Sequence, residues 1–322
     1  MSHARLTLII ALLLAPGVQP AAAQSYPSRP VRLITPSSPG SGVDIVARIV
    51  GQKLSENLKQ QVVIDNRAGA GANLGAEIAA KAAPDGYTLF MGTPAHAINP
   101  GLYHRLNYDI VRDFAPISLV TTGQYVLVVH PSVPAKIVKD LIALAKARPG
   151  QLNYASAGNG NATHLAAELF KSLTGVNIVH VPYKGSGPAL TDLIGGQVHL
   201  MFSNLTAGLP HIKSGKLRAL AVTGARRSPT APDIPTVTES GVPGYTVTSW
   251  YGVLAPAATS QEIVNRLNGE IVKVMRLPDM KGRLAAEGAE PTSSTPAEFA
   301  AFIKTEIAKW GKVVKEAGIS AD

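Results

Sequence analysis

Short hydrophobic runs alternate along the chain with stretches in which apolar residues recur every three or four positions. The first run, Val31–Thr35, predicts a strand, and apolar residues between Val46 and Leu58 continue behind it at helical spacing. Further runs predict strands at 61–66, 89–92, 125–129, 152–156, 177–181, 197–202, 217–223 and 246–254. Strands that alternate with helices in this way are typical of a mostly parallel α/β sheet.

The stretches between these runs predict helices. The helices of the first three quarters of the chain are expected to start near Asp44, Leu74, Ile137, Thr163 and Pro188. In the helix from Leu74, the apolar positions include Leu74 and Ile78. We expect Gly175 to end the helix that starts near Thr163, because glycine favours the position after a helix.

Beyond residue 254 the chain is predicted to be helical. Thr259 with Glu262, and Thr295 with Glu298, have the spacing of a capping box. Gly318 is expected to end the last helix. These C-terminal helices have too little strand beside them for a sheet domain, so we expect them to pack on the first half of the chain.

The first 23 residues have the pattern of a secretory signal peptide. Arg5 precedes a short apolar segment from Leu6 to Ala15, and Ala21-Ala22-Ala23 resembles a cleavage site. A membrane anchor is the alternative, but a spanning helix needs about 20 apolar residues. We therefore expect cleavage after about Ala23 and export to the periplasm.

Composition narrows the function further. The formal net charge is +9, but lysine and arginine are scattered, whereas a nucleic-acid interface would cluster them. The chain has no cysteine, which excludes disulfides and thiolate chemistry. We expect a monomer, with no nucleic acid as a partner.

Catalytic and cofactor motifs are missing from the sequence. There is no G-x-S-x-G, H-E-x-x-H or phosphate-loop motif, and the eight histidines are dispersed. The glycines of the loop from Gly69 to Gly75 miss the dinucleotide-binding spacing by one residue. We therefore predict no catalytic residues, no metal site and no cofactor, and a protein that is not an enzyme.

Loops of small residues follow five of the predicted strands, at 37–42, 68–73, 93–96, 156–161 and 184–187. Ligands of open α/β sheets bind at the carboxyl ends of strands, and a helix N-terminus favours an anion. Asp44 is expected to cap its helix instead of contacting an anion. The predicted ligand-binding residues are Ser37, Ser38, Gly40, Ser41, Ala70, Gly71, Thr93, Ala95, His96, Ser156, Asn159, Asn161, Thr163, His164, Lys184 and Ser203.

The mature chain resembles the tripartite tricarboxylate transporter substrate-binding proteins, the Bug or TctC-like receptors. The resemblance is carried by Tyr26-Pro27, Val31-Arg32-Leu33-Ile34, Asn66-Arg67-Ala68-Gly69-Ala70-Gly71, Ala83-Pro84-Asp85-Gly86-Tyr87, Val181-Pro182-Tyr183-Lys184-Gly185 and Leu193-Ile194-Gly195-Gly196. It implies a periplasmic-binding-protein type II-like fold with two α/β lobes and a central cleft. Lobe 1 would comprise residues 24–124 plus 249–322 and lobe 2 residues 125–248.

The resemblance also implies function. It indicates a solute-binding protein that closes on a small organic anion in a cofactor-free site and delivers it to a TctA/TctB-like membrane permease. An exported α/β enzyme and a receptor for a sensor kinase are the alternatives. Three positions depart from the usual family pattern: Ser37 replaces an aromatic residue, Ser41 a glycine and Ser203 an aspartate. We hypothesise that these changes enlarge the pocket, remove an acidic group and favour a di- or tricarboxylate or an aromatic acid over an amino acid.

Overall fold

The computed structural model describes residues 26–317, so the predicted signal peptide and the predicted helix end at Gly318 lie outside the described residues. The strands are β1 (Val31–Thr35), β2 (Val62–Asn66), β3 (Thr88–Gly92), β4 (Phe114–Val129), β5 (Asn153–Ser156), β6 (Val179–Pro182), β7 (Leu200–Asn204), β8 (Arg218–Val222), β9 (Thr248–Pro256) and β10 (Glu290–Pro291).

Most strands alternate with helices, as the hydrophobic pattern predicts. The helices are α1 (Gly42–Leu58), α2 (Asn73–Ala80), α3 (Pro94–Leu102), α4 (Val138–Ala147), α5 (Ala162–Thr174), α6 (Ser186–Ile194), α7 (Leu205–Lys213), α8 (Gln261–Arg276), α9 (Pro278–Ala286) and α10 (Pro296–Ala317). No helix among residues 26–317 is long and apolar enough to cross a membrane.

The strands form one mixed sheet in the order β2-β1-β3-β9-β4-β7-β5-β6, with β8 and β10 also paired to β4. At one end β1 pairs in parallel with β2 and β3, and at the other β5 pairs in parallel with β6 and β7. The long strands β4 and β9 are antiparallel to their neighbours and lie between these two parallel groups.

Helices cover both faces of the sheet, which explains the unbroken apolar runs of its central strands. In β1, Leu33 packs in the cluster that contains Val46 and Val50 of α1, whereas Ile34 packs in the cluster that contains Phe90. The C-terminal helices complete these layers: α8 contacts α1, and α10 contacts α3. The expected packing of these helices on the first half of the chain is confirmed.

Strand β4 changes partner within its length. Residues up to Gln124 pair with β9, with Gln124 opposite Thr248, whereas Tyr125 and the residues after it pair with β7. The sequence prediction placed a strand only at 125–129, so the first eleven residues of this sixteen-residue strand were missed. Pro116, a glycine and several polar residues interrupt the apolar run in this half.

Two helices were also missed. Helices α3 and α7 contain Pro100 and Pro210, so their sequences resemble loops. The structure therefore has helix at 94–96, where an open loop was predicted. Helix α9, which begins at Pro278, lies in the part of the chain beyond residue 254 that was predicted to be helical.

One local prediction is wrong. The N-cap of α8 is Ser260, whose hydroxyl accepts from the amide of Ile263 at 3.4 Å, and not Thr259. In α2, Ile78 packs against the core and Gly75, Ala76 and Ala79 are buried, whereas Leu74 is 41% exposed. The capping box of Thr295 and Glu298 is confirmed by reciprocal hydrogen bonds of 2.8 and 3.2 Å, and Gly175 follows α5 with a φ of +67°.

Candidate functional site

A cavity lies at the centre of the molecule, where the two parallel strand groups face each other across β4 and β9. Both halves of the chain contribute to its wall. We call it the inner cavity, and it is lined by Pro36, Ser37, Ser41, Gly42, Val43, Ala72, Thr93, Pro94, Ala95, Tyr125, Ala157, Asn161, Ala162, Thr163, Ser186, Asn204 and Tyr251.

Most of these residues belong to the first turns of helices. Helices α1, α2, α3, α5, α6 and α7 each contribute their N-cap or first residue to the wall. The first amides of a helix have no intrahelical acceptor, and the helix dipole places partial positive charge there. The inner cavity is therefore surrounded by backbone donors that favour a negatively charged ligand.

Side-chain caps leave some of these donors free and use others. Ser41 and Asn161 each accept from an amide of the helix they cap, Asp44 at 3.4 Å and Thr163 at 3.1 Å. The prediction that Asp44 caps α1 is wrong, because the N-cap is Ser41; the Asp44 carboxylate instead accepts from the amide of Gly40 at 2.9 Å. It does not line the inner cavity.

Polar side chains gather at one side of the cavity. Asn204 donates through Nδ2 to the hydroxyl of Ser249 at 2.7 Å. Burial raises the pKa of both Tyr125 and Tyr251, so their hydroxyls stay protonated at neutral pH. A Cβ on Gly42 would lie 2.6 Å from Asn204 Oδ1 and 2.7 Å from the Tyr251 hydroxyl, so only glycine leaves room for this cluster.

No lining residue of the inner cavity, among those the structure describes, carries a formal charge or an imidazole. Within residues 26–317 there is also no group of three or more histidine, cysteine, aspartate or glutamate residues that could hold a metal ion. The site can therefore bind through hydroxyls, amides and helix ends.

A second recess lies on the outside of the same cleft and is lined by Gly69, Ala70, Gly71, Tyr103, Ala157, Gly158, Asn159, Pro182, Tyr183 and Lys184. We call it the outer recess. Around it the two sides of the cleft are in contact: the Tyr103 hydroxyl donates to the carbonyl of Asn159 at 3.1 Å. A Cβ on Gly185 would overlap the Ser38 hydroxyl.

Ten of the sixteen predicted ligand-binding residues line one of these two spaces. Those on the inner cavity are Ser37, Ser41, Thr93, Ala95, Asn161 and Thr163. Those on the outer recess are Ala70, Gly71, Asn159 and Lys184.

Six predicted residues line neither space. Gly40 has a φ of +75° and donates to Asp44, and the hydroxyl of Ser38 is buried beside Gly185 and Gly187. His96 is fully buried. Its ring accepts from the amide of Thr93 at 3.0 Å and completes the capping box of α3.

The other three lie behind the wall. Ser156 is buried against His180, and His164 stacks on the same ring. Ser203 is fully buried and donates to the carbonyl of Asn204. Ser203 therefore does not line the inner cavity, and the effect of replacing aspartate at this position on specificity stays a prediction.

Sequence reasoning missed eleven lining residues: Pro36, Gly42, Val43, Ala72, Pro94, Tyr125, Ala157, Ala162, Ser186, Asn204 and Tyr251. Gly42, Ala72, Pro94, Ala157 and Ser186 lie within the predicted loops but were not selected. Widening those loops by one residue would have included Pro36, Val43 and Ala162. Tyr125 and Tyr251 could not be found in that way, because they lie within strands.

Comparison with known sequences and structures finds related proteins over most of the chain. The sequence model of the tripartite tricarboxylate transporter family receptors, TctC, matches residues 46–319. Protein BugT of Bordetella pertussis is 39% identical over 99% of both chains.

Two solved structures are similar throughout. Rpa4515 of R. palustris, solved with adipate, is 42% identical with a TM-score of 0.89, over 92% of this chain and 99% of that one. MatC of Rhodopseudomonas palustris, solved with bound malate, is 33% identical with a TM-score of 0.86, over 90% and 99%.

Proposed function

This chain belongs to the tripartite tricarboxylate transporter receptor family, and from that premise we propose that its inner cavity binds a small organic dicarboxylate. The observation that carries the proposal is the meeting of six helix N-termini around a cavity without charged side chains. Family membership and the fold support a periplasmic carboxylate-binding receptor of the TctC/Bug type.

The helix ends can supply the required affinity. A hydrogen bond to a charged group contributes about 1.5–3 kcal/mol, and micromolar binding requires about −8 kcal/mol. Four or five backbone and hydroxyl donors therefore suffice after the cost of association. An arginine clamp is not needed.

A hydroxyl-rich part of the cavity wall, beside the starts of α1 and α7, suits the second polar end of the ligand. Tyr125, Asn204 and Tyr251 present neutral donors there, since burial keeps the phenols protonated. Adipate and malate, which accompany the two similar structures, both carry a carboxylate at each end. We propose this class of ligand ahead of tricarboxylates and aromatic acids.

We propose a binding protein and not an enzyme. General acid–base catalysis needs a titratable group near the reacting bond, and the described lining of the inner cavity offers only hydroxyls, one tyrosine pair and two amides. Incubation of purified protein with a bound acid should return that acid unchanged, and a new product would favour the enzyme alternative.

We further propose that the ligand is enclosed by hinge closure of two lobes, residues 24–124 plus 249–322 and residues 125–248. The change of partner in β4 between Gln124 and Tyr125 supports this boundary, as does the pairing of Gln124 with Thr248. The contacts of Tyr103 with Asn159, and of Gly185 with Ser38, would then be those of the closed state.

The Ser41→Asp variant tests the anion site. Aspartate caps a helix as well as serine does, so α1 should be retained, but a carboxylate about 4 Å from a bound anion costs about 4 kcal/mol at an effective dielectric of 20. Calorimetry should show adipate binding weakened at least 100-fold. Ser41→Asn, the neutral control, should stay within about tenfold of the wild type. Equal affinities for both variants would remove this helix end from the site.

Delivery to a TctA/TctB-like permease, cleavage after about Ala23 and a monomeric state complete the proposal. Intact mass of the periplasmic fraction should give a chain that starts near Gln24, and native mass spectrometry should give one copy. Deletion of the protein should abolish dicarboxylate uptake, and Ser41→Asn but not Ser41→Asp should restore it. Loss of induction with normal uptake would instead indicate a receptor for a sensor kinase.

A further inference from the structure

A cluster of aromatic and titratable side chains lies directly behind the wall of the inner cavity. The rings of His164 and His180 stack with centroids 4.0 Å apart, and His180 stacks on Tyr154 at 4.9 Å. The proposed function uses none of these side chains. The hydrogen-bond partners of the two histidines identify the segment that these side chains hold in place.

Both histidines are tied to the loop at 157–161, which we call the β5–α5 loop. His164 Nδ1 accepts from the amide of Gly160 at 3.2 Å. His180 Nε2 lies 2.5 Å from the hydroxyl of Ser156, which in turn accepts from the amide of Gly158 at 3.1 Å.

The β5–α5 loop contacts both spaces of the cleft. Ala157 and Asn161 line the inner cavity, and Ala157, Gly158 and Asn159 line the outer recess. Its Asn159 carbonyl receives the bond from Tyr103 across the cleft. A displacement of the loop would therefore move the start of α5 and the contact between the two sides together.

We infer that His164 is a positioning residue: its neutral ring fixes the β5–α5 loop in the binding conformation, and its protonation releases the loop. Because Nδ1 accepts from Gly160, the neutral ring carries its hydrogen on Nε2. A protonated ring carries hydrogen on both nitrogens and cannot accept that bond. This inference rests on the proposed function, because it concerns the same cavity.

The surroundings favour the neutral ring. Burial lowers the pKa of His164, and burial together with His164 lowers the pKa of His180 to about 4. The groups that face His164 are Glu168 on the same helix, whose carboxylate is 3.8 Å from Nε2, Lys171 one turn further on, Tyr154 on β5 and His180 on β6. Two stacked imidazoles cannot both carry charge at low cost, so the pair resists protonation more strongly than a solvent-exposed imidazole does.

The test compares His164→Asn with His164→Leu. The asparagine amide oxygen occupies roughly the position of Nδ1, so it can accept from Gly160, but it does not titrate. Leucine keeps much of the volume and removes the acceptor. His211→Asn, on the last turn of α7 and away from the loop, is the matched control.

Adipate affinity is measured by calorimetry from pH 7.5 to pH 5. At pH 7.5 we expect His164→Asn to bind like the wild type and His164→Leu to bind about fivefold or more weakly. As the pH falls, the wild type and His211→Asn should lose affinity relative to His164→Asn by up to tenfold per pH unit below the His164 pKa. The titration of adipate itself is common to all four proteins and cancels in these ratios.

A second readout needs no ligand. In nuclear magnetic resonance spectra the Gly160 amide of the wild type should shift with the titration of His164, and in His164→Asn this shift should be absent. Parallel pH profiles for the wild type and His164→Asn, or wild-type affinity in His164→Leu, would overturn the inference. If no acid binds to any variant, the proposed function fails, and the Gly160 signal alone then decides the role of His164.

Discussion

Replacement of Gly71 by alanine tests whether the two sides of the cleft must meet for binding. Gly71 lies on the outer recess with a φ of +62°, opposite the β5–α5 loop. A Cβ at this position would overlap the carbonyl oxygen of Asn159 and lie 2.6 Å from the Tyr103 hydroxyl. The overlap involves backbone, so a side-chain rotation cannot relieve it.

The expected magnitude follows from two separate costs. Alanine at positive φ costs about 1–2 kcal/mol, but this strain is present whether the cleft is open or closed. The overlap with Asn159 exists only when the two sides are in contact, and overpacking of this kind costs about 1–3 kcal/mol. Only the second cost opposes closure, so the dissociation constant for adipate should rise about 5- to 150-fold.

Gly175→Ala provides the matched control. Gly175 has a φ of +67° at the end of α5, and a Cβ there would meet no atom within 4 Å. Both variants should show a similar decrease in melting temperature, whereas calorimetry should show weakened adipate binding only for Gly71→Ala. Equal affinities in the two variants would refute the proposed closure over this contact.

Three further predictions concern single residues. Tyr251→Phe removes a buried hydroxyl from the cavity wall, so calorimetric affinity for adipate should fall about fivefold, the effect of about 1 kcal/mol for one hydrogen bond; unchanged affinity would exclude that hydroxyl from the site. Burial lowers the pKa of His96 to about 4. As the pH falls, the His96 ring is therefore protonated near pH 6.5 in the unfolded chain but stays neutral in the folded chain. The contribution to stability is complete above pH 6.5 and should decrease by about 3 kcal/mol toward pH 4; urea titrations should show a flatter pH dependence for His96→Asn, and the same slope in both would contradict this assignment. Finally, Thr259→Val removes a buried hydroxyl that has no partner among the described residues and should raise the melting temperature, whereas Ser260→Ala should lower stability by about 1 kcal/mol; the reverse order would restore Thr259 as the cap.

Elements with strong local signals were predicted well. The strand Val31–Thr35, the helix behind it and the helix that Gly175 follows are found within one or two residues of their predicted bounds. Helices α3 and α7 were missed because an internal proline opposes their local pattern, and packing in the fold stabilises them nevertheless. The family and the α/β class could likewise be predicted, because both depend on motifs and periodicity spread along the chain.

The candidate site was predicted only in its loops. Helix starts such as Ser41, Thr93 and Asn161 can be predicted locally, because the residue types that favour a helix N-cap are recognisable in the sequence. Residues such as His96 and His164 also lie at helix starts, yet their rings point into the protein and hold backbone in place. The direction of a side chain at a helix start depends on the helices and strands that pack against it, and the local sequence pattern does not show this direction.

The sequence by itself therefore determined the fold class, the alternation of strands and helices and the presence of donor-rich loops, because these follow from local propensity and spacing. The tertiary structure alone decided that Tyr125 and Tyr251 enter the cavity wall from strands far apart in sequence. It also decided that Ser203 faces away from the cavity and that Asn204 faces into it. The physical reason is that successive strand residues point to opposite sides of the sheet, so one position of register separates a side chain buried behind the wall from one that lines the cavity.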